Sequence, residues 1–232
     1  MITVSIADLI IRIENKYEYI VKQSRDYLVP NDTAADFSVC VTEDEILAEG
    51  DVGEFPPAYL EYLAVYRKIA EEILKYRGLL LHGVLLECEG KGVLFGAKSG
   101  VGKSTHASLW KKLLGDKCTI VNGDKPLVRI IDGRVFAYGT PWNGKEGLHE
   151  NKRCELFSIC FLERGKENVI SAIGNEALKL ILTQTYMPKK DVAKMGMTLD
   201  LLDEILTKVK CYKLACNMDI SAAQVAYEEL IK

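Results

Sequence analysis

Residues 92–104, GVLFGAKSGVGKS, constrain the fold of this 232-residue chain more than any other stretch. A short apolar run at residues 93–95 leads into a loop with three glycines, and Lys103 and Ser104 then open an amphipathic helix. A strand, a glycine loop and a helix in this order are what a phosphate-binding P-loop requires. The stretch therefore predicts an α/β domain organised around a phosphate site.

The residue types in this loop each suit one part of a polyphosphate. Gly100 and Gly102 let the backbone curl so that several N–H groups point at one anion, and the following helix N-terminus attracts the same charge. Lys103 can reach the β- and γ-phosphates, and the Ser104 hydroxyl can ligate Mg²⁺. Ala97 stands where the strict pattern has glycine, which leaves an ordinary glycine turn before a lysine-rich helix as the alternative. The predicted nucleotide-binding residues are Lys98, Ser99, Gly100, Val101, Gly102, Lys103, Ser104 and Thr105.

A second motif follows the glycine loop at a distance of about 20 residues. The apolar run at residues 118–121 reads as a buried strand, and it ends in the sequence NGDK. A carboxylate delivered at the end of such a strand is the Walker B arrangement, in which the aspartate holds Mg²⁺ directly or through water. Asp124 is therefore the predicted metal ligand, and ATP with Mg²⁺ is the predicted cofactor pair; an aspartate in a common turn is the alternative.

Composition and charge exclude several classes of function. A net charge of −3, without a dominant basic stripe, argues against a nucleic-acid partner. No apolar run approaches the roughly 18 residues that a membrane span needs, and the N-terminus lacks the basic segment of a signal peptide. The seven cysteines form no C-x-x-C pair, and several lie in apolar runs. We therefore expect a cytoplasmic protein with buried free thiols and no membrane partner.

Hydrophobic patterns divide the chain into a small N-terminal lobe, residues 1–77, and a kinase-like P-loop domain, residues 78–232. The small lobe is predicted to be α+β and to serve packing or partner binding rather than a second active site. Pro56 and Pro57 open a helix with an apolar stripe that is predicted to clamp this lobe onto the main sheet. Predicted strands of the lobe are residues 2–6, 9–13 and 37–41. Predicted later elements are strands 127–131, 135–138, 156–162, 169–173 and 212–215 and helices 175–184, 199–208 and 220–231.

One histidine and one loop are further candidates for the site. Residues 79–87 read as a strand that a short EGKG turn joins to the P-loop strand, which predicts an antiparallel hairpin with His82 beside that strand. A lone histidine in an apolar run is more often a core residue, and His106 and His149 rank below His82. The glycine-rich loop at residues 139–147 suits substrate binding, with Lys145 and Glu146 facing the transferred phosphoryl group and its acceptor; an ordinary surface loop is the alternative.

The run LLHGVLLECEGKGVLFGAKSGVGKS, followed by TIVNGDKP, resembles the catalytic domain of HPr kinase/phosphorylase and, more loosely, the phosphoenolpyruvate carboxykinase-like P-loop group. The stretches YGTPWNGKE, FLERGKEN and LACNM are similar to stand-alone HPr-kinase-related proteins. The resemblance implies an α/β fold with a mixed sheet of this type, preceded by the small α+β lobe. Because relatives in that family are hexameric, it also implies a homo-oligomer by analogy.

The resemblance implies roles for individual residues. It puts His82 beside the phosphates, Lys103 on the phosphate chain, Ser104 on Mg²⁺ and Asp124 in the acidic motif. The family has two adjacent aspartates that divide metal binding from activation of the acceptor, whereas this chain has Gly123 in the first place. Either Asp124 serves one role while Glu146 or His82 serves the other, or activity is reduced. The full predicted catalytic set is Asp124, His82, Lys103, Lys145 and Glu146.

Three functions remain open at the level of sequence. The first is a Mg·ATP-dependent kinase that moves the γ-phosphoryl group to a hydroxyl, with a serine of a protein or peptide as the preferred acceptor. The second is a kinase for a small molecule. The third is an ATP-binding module with reduced catalysis. The chain lacks a recognisable HPr kinase N-terminal domain and the phosphorylase signature, so neither HPr as substrate nor the reverse reaction is expected.

Overall fold

The computed structural model describes residues 1–52 and 54–231, and its N-terminal part is built on a four-stranded sheet. Its strands are β1 (Ile2–Ile6), β2 (Leu9–Glu14), β3 (Leu28–Val29) and β4 (Phe37–Cys40). They lie in the order β3-β1-β2-β4 across the sheet. Ala7 and Asp8 both have positive φ, at 55° and 57°, and form the tight turn that joins the first two strands. The bounds of β1, β2 and β4 confirm the three strands predicted at residues 2–6, 9–13 and 37–41.

A nine-stranded mixed sheet forms the larger part of the molecule, which gives the chain a mixed α/β fold. Its strands are β5 (Gly78–Leu80), β6 (Val84–Cys88), β7 (Lys91–Gly96), β8 (Cys118–Asn122), β9 (Leu127–Ile131), β10 (Arg134–Tyr138), β11 (Arg153–Arg164), β12 (Val169–Ala172) and β13 (Lys210–Cys216). The path β5-β9-β10-β11-β7-β6-β8 is extended by β13, which pairs with β11, and by β12, which pairs with β13. Strands β7, β11 and β13 run parallel, so their carboxyl ends lie at one edge.

Seven α-helices cover the sheets. They are α1 (Glu18–Gln23), α2 (Glu43–Ala48), α3 (Pro57–Glu72), α4 (Lys103–Leu114), α5 (Glu176–Leu182), α6 (Val192–Lys208) and α7 (Ile220–Leu230). Thr42 and Glu45 form the capping box that begins α2, as their spacing predicts. Helix α6 begins seven residues before the predicted position 199, because the Asp191 side chain accepts a hydrogen bond from the Lys194 amide and caps it.

The large sheet carries a core on each face. Alternate residues of β6 and β7 enter different clusters: Val84 and Phe95 pack with Trp110 of α4, whereas Leu85 and Leu94 pack on the opposite face with residues of α5 and α6. This alternation follows from the two-residue period of a strand. It also places α4 and α7 together on one side of the sheet and α5 and α6 on the other.

A third core joins the small sheet to the large one. Helix α3 lies within it, together with buried side chains of β1 and β2 and with Leu80, Leu127 and Trp142 from the larger part of the chain. The contact between the two sheets is polar as well as apolar, since Arg129 donates a hydrogen bond to the Ala7 carbonyl at 2.6 Å. Residues from both parts of the chain therefore share one buried interior.

Of two predictions for the segment before the glycine loop, the structure confirms one and contradicts the other. The antiparallel hairpin of β6 and β7 is confirmed, with Glu89 and Gly90 at positive φ in its turn. The single strand predicted at residues 79–87 is wrong, because the chain leaves β5 at Leu80 and enters β6 at Val84. The reason is a change of partner: β5 pairs with β9, and β6 pairs with β7 and β8. His82 lies in the break.

The cysteines differ from the expectation of seven free thiols. Cys88 and Cys118 lie opposite each other on the paired strands β6 and β8 and form a disulfide bond. Strand register decides this contact, and the sequence spacing of 30 residues does not reveal it. The other five cysteines are free, and Cys40 among them is exposed rather than buried.

None of the helices in the described part of the chain is both long and apolar enough to span a bilayer.

Candidate active site

The glycine loop lies between the end of β7 and the start of α4, at the edge where the parallel strands end. Gly100 and Gly102 have φ values of 78° and 122°, which residues with a side chain rarely adopt. A Cβ built at Gly100 would have no heavy atom within 4 Å, so the loop leaves open space on that side. Because the N-cap residue of α4 is Gly102, no side chain caps this helix, and its first amides remain available to a ligand.

Lys103 lies at the centre of this region. Its ammonium nitrogen donates a hydrogen bond to the Ala97 carbonyl oxygen at 3.0 Å. Burial lowers the pKa of Lys103, and the negative charge of Asp124 partly opposes that shift. Lys103 and Asp124, which lie 21 positions apart in the sequence, are therefore electrostatic neighbours in the fold.

Asp124 is held at the end of β8 by a turn and by side-chain contacts with His82 and Lys125. The Asn122 side-chain oxygen accepts hydrogen bonds from the amides of Asp124 and Lys125, at 2.9 and 2.7 Å. The carboxylate oxygens lie 3.2 Å from His82 Nε2 and 3.2 Å from Lys125 Nζ. Burial raises the pKa of Asp124, but the hydrogen bond from His82 and the charge of Lys125 outweigh it and hold that pKa below its usual range.

Gln184 ties His82 to the glycine loop. The His82 amide donates to the Gln184 carbonyl at 2.6 Å. When the Gln184 side-chain nitrogen faces the two carbonyls beside it, it donates to Ala97 at 3.1 Å and to His82 at 3.0 Å. Gln184 is only 7% exposed. Sequence reasoning missed this residue, since a glutamine at the end of a short helix carries no motif and only its burial reveals it.

The loop at residues 139–150 packs closely against the acidic motif. The Gly123 amide donates to the Leu148 carbonyl at 2.9 Å. A Cβ at Gly123 would lie 3.0 Å from the Asn143 carbonyl oxygen and 3.3 Å from that of Leu148. A Cβ at Gly144 would lie 3.0 Å from the Cβ of Asp124. The backbone of this loop therefore packs tightly on Gly123, and a side chain there would require the loop to shift by a few tenths of an ångström.

Lys145 and Glu146 lie at the tip of the same loop. Both are exposed and follow Gly144 directly, so they lie one and two residues from the backbone that contacts Asp124. Neither forms an ion pair with any residue of 1–52 or 54–231. The fold thus brings His82, Lys103 and Asp124 together and leaves Lys145 and Glu146 at the rim.

Helix α3 supports this loop. The Tyr62 hydroxyl donates to the Pro141 carbonyl at 2.8 Å, and the Trp142 indole donates to the Tyr62 carbonyl at 3.3 Å. Tyr66 packs on the Trp142 ring with centroids 5.6 Å apart. Burial raises the pKa of Tyr66 to about 12, and the negative charge of Asp124 adds to the shift. The N-terminal part of the chain therefore contributes to the surroundings of Asp124.

The two other histidines have packing roles. His106, in the first turn of α4, accepts a hydrogen bond from the Trp110 indole at 3.0 Å and lies against the Phe95 ring. Burial lowers the pKa of His106 to about 4, so the ring is neutral at pH 7. His149 stacks on Tyr27, whose hydroxyl lies 3.1 Å from His149 Nδ1.

The donor set suits Mg²⁺ better than a metal held by protein side chains alone. Among the described residues, no three side chains of the His, Cys, Asp or Glu types cluster closely enough to hold a metal ion. Mg²⁺ usually keeps several waters and takes one or two protein oxygens together with substrate phosphates. A hydroxyl at the start of α4, from Ser104, and a carboxylate at the end of β8, from Asp124, match that preference.

Comparisons with known proteins add one distant structural similarity. No protein-family model and no curated protein matches the chain. Among solved structures, it is similar to the Hpr(Ser) kinase/phosphatase from Coxiella burnetii, with 9% sequence identity and a TM-score of 0.39. The similarity covers 64% of this chain and 94% of that protein. A similarity of this size settles neither the P-loop type nor the activity.

Proposed function

We propose that this protein is an ATP- and Mg²⁺-dependent phosphotransferase that moves the γ-phosphoryl group to a hydroxyl, with a serine of a protein or peptide as acceptor. The observation that carries the proposal is the group formed by His82, Lys103 and Asp124 beside a loop with two left-handed glycines. Backbone amides, a lysine and a carboxylate at one place are suited to binding a polyphosphate with its metal ion.

Residues 98–105 would hold the phosphate chain through their amides, and Ser104 and Asp124 would hold Mg²⁺. Bound there, Mg²⁺ supplies neutralisation of the charge on the β- and γ-phosphates. Lys103 adds a positive charge, and its partial burial strengthens the attraction, since solvent screens buried charges less. The loop already has Gly100 and Gly102 at positive φ, the backbone conformation that lets successive amides face one anion.

His82 is the group that accepts the proton of the acceptor hydroxyl in this proposal. Its Nε2 lies 3.2 Å from an Asp124 carboxylate oxygen, and an N–H on Nε2 directed to that oxygen would leave Nδ1 with the lone pair that takes the proton. Asp124 orients the ring and stabilises the cation that forms when Nδ1 takes the proton. Because residue 123 is a glycine rather than a second carboxylate, and Glu146 lies at the exposed rim, His82 is the favoured base.

The test is incubation with γ-labelled ATP, Mg²⁺ and a fractionated lysate, followed by identification of the labelled species. We expect Lys103→Ala to lower transfer by about 10²-fold or more, because removal of one stabilising donor for the developing charge has that effect. Lys112→Ala, on the exposed last turn of the same helix, should retain full transfer. Asp124→Asn should lose the Mg²⁺-dependent transfer.

The same assay can also refute the proposal. Transfer at the wild-type rate by Lys103→Ala would refute the assigned site, and an unchanged Mg²⁺ dependence in Asp124→Asn would refute the metal ligand. Label in a small-molecule fraction instead of a protein band would assign a metabolite kinase.

A second function is favoured by the packing at Gly123. The Asn143 and Leu148 carbonyls pack tightly on Gly123, so the site has the single carboxylate of Asp124 in this motif, which is compatible with reduced catalysis. An ATP-binding module of this kind would bind Mg·ATP tightly and label nothing in the same lysate. Calorimetric titration with Mg·ATP, run beside the transfer assay, separates the two functions.

A further inference from the structure

Arg164 lies beside the glycine loop, outside the group of residues described above. It is the last residue of β11, the parallel neighbour of β7, and the register pairs Phe161 with Gly96. Three residues beyond that pair, the Arg164 guanidinium reaches the loop and donates through Nη2 to the Gly100 carbonyl oxygen at 2.7 Å. Strand pairing therefore delivers an arginine to the carbonyl of a left-handed glycine.

Most of the hydrogen-bonding capacity of Arg164 is unused. A guanidinium has five N–H donors, and the described residues engage one of them. The neighbouring Glu163 pairs with Lys213 at 3.1 Å, and Arg164 forms no ion pair within residues 1–52 and 54–231. Arg164 is exposed, so it places an uncompensated positive charge at the rim of the loop.

The contact with Gly100 has a specific geometric consequence. In a loop that binds an anion through successive amides, the intervening carbonyls must point away from the anion. Gly100 has no side chain and a φ of 78°, so its own covalent structure does little to fix the direction of its peptide groups. The Arg164 guanidinium, a charged donor at the end of β11, holds the Gly100 carbonyl toward β11.

We propose that Arg164 is a positioning residue that holds the glycine loop in its anion-binding conformation and thereby raises the affinity for a nucleotide polyphosphate. The proposal rests on the function proposed above. It assigns to Arg164 no contact with the reacting atoms, and it predicts an effect on loop order even without nucleotide.

Two measurements on the full-length protein test it: calorimetric titration with Mg·ATP and hydrogen exchange of the amides at residues 99–102 without nucleotide. Arg164→Ala should weaken Mg·ATP binding by about tenfold, as loss of a hydrogen bond to a charged group does. It should also speed exchange at residues 99–102. Arg164→Lys, which keeps the charge, should recover part of both effects.

Lys166→Ala is the matched control, since Lys166 is an exposed cation two residues away on the same edge. Equal losses in Arg164→Ala and Lys166→Ala would indicate general electrostatic attraction and overturn the positioning role. Wild-type affinity and exchange in Arg164→Ala would overturn it while leaving the proposed function intact. If the wild type binds no Mg·ATP and behaves like Lys103→Ala, the proposed function itself fails. Arg164→Gln provides a second neutral variant should the alanine protein fold poorly.

Discussion

An aspartate introduced at residue 123 should destabilise the protein rather than increase its activity. A Cβ there would lie 3.0 Å from one backbone carbonyl oxygen and 3.3 Å from another, those of Asn143 and Leu148, and backbone atoms cannot rotate away. Overpacking of this kind costs about 1–3 kcal/mol, and the hydrogen bond from the Gly123 amide to Leu148 would weaken as well. We therefore expect Gly123→Asp to lower the free energy of unfolding by about 2–4 kcal/mol.

Urea unfolding of three variants separates the contributions. Gly123→Ala carries only the steric cost, so its difference from Gly123→Asp reports the added carboxylate beside Asp124. Gly174→Asp is the matched control: a Cβ at Gly174 meets no heavy atom within 4 Å, and the residue is exposed. Its stability should lie within about 0.5 kcal/mol of wild type.

Phosphoryl transfer should not increase in Gly123→Asp, because the loop backbone must move before a second carboxylate can face the site. Hydrogen exchange at residues 143–148 should therefore be faster in this variant. Wild-type stability together with increased transfer would refute the reasoning, since it would show that the loop yields without cost and that a second aspartate is what the site lacks.

Two buried polar groups give further predictions. Burial lowers the pKa of His106 to about 4, so the unfolded chain takes up the proton first as the pH falls below about 6.5. The free energy of unfolding, measured in urea, should therefore decline by up to roughly 3 kcal/mol between pH 7 and pH 4. The decline should be smaller in His106→Gln, whose side chain can still accept the Trp110 indole hydrogen bond. Glu61 is fully buried and accepts hydrogen bonds from the Lys16 and Tyr17 amides. Thermal unfolding should show that Glu61→Ala lowers the free energy of unfolding by about 2–3 kcal/mol and that Glu61→Gln lowers it less.

Local patterns predicted those features that depend on neighbouring residues. The alternation of apolar residues located β1 and β2, and the short turn at Glu89 and Gly90 fixed the β6–β7 hairpin. The glycine loop between strand β7 and helix α4 was visible because its residue types are specific and contiguous.

Long-range pairing decided what the sequence left open. The break at His82 follows from β5 and β6 joining different neighbours, and the bond between Cys88 and Cys118 follows from the register of β6 and β8. Gln184 lies 87 positions beyond Ala97, and no local pattern connects them. The contact of Arg164 with Gly100 likewise depends on the parallel pairing of β7 and β11.

A single carboxylate at residue 124 has two tasks in the proposed mechanism, and its surroundings suit both. One oxygen lies 3.2 Å from His82 and the other 3.2 Å from Lys125. Each carboxylate oxygen can accept more than one partner, so neither contact prevents a metal ion from binding as well. The hydrogen bond from His82 and the charge of Lys125 lower the pKa of this carboxylate and keep it ionised, and ionisation is required both for metal binding and for orientation of His82. Because residue 123 is a glycine, the proposed mechanism divides the two roles between Asp124 and the histidine beside it.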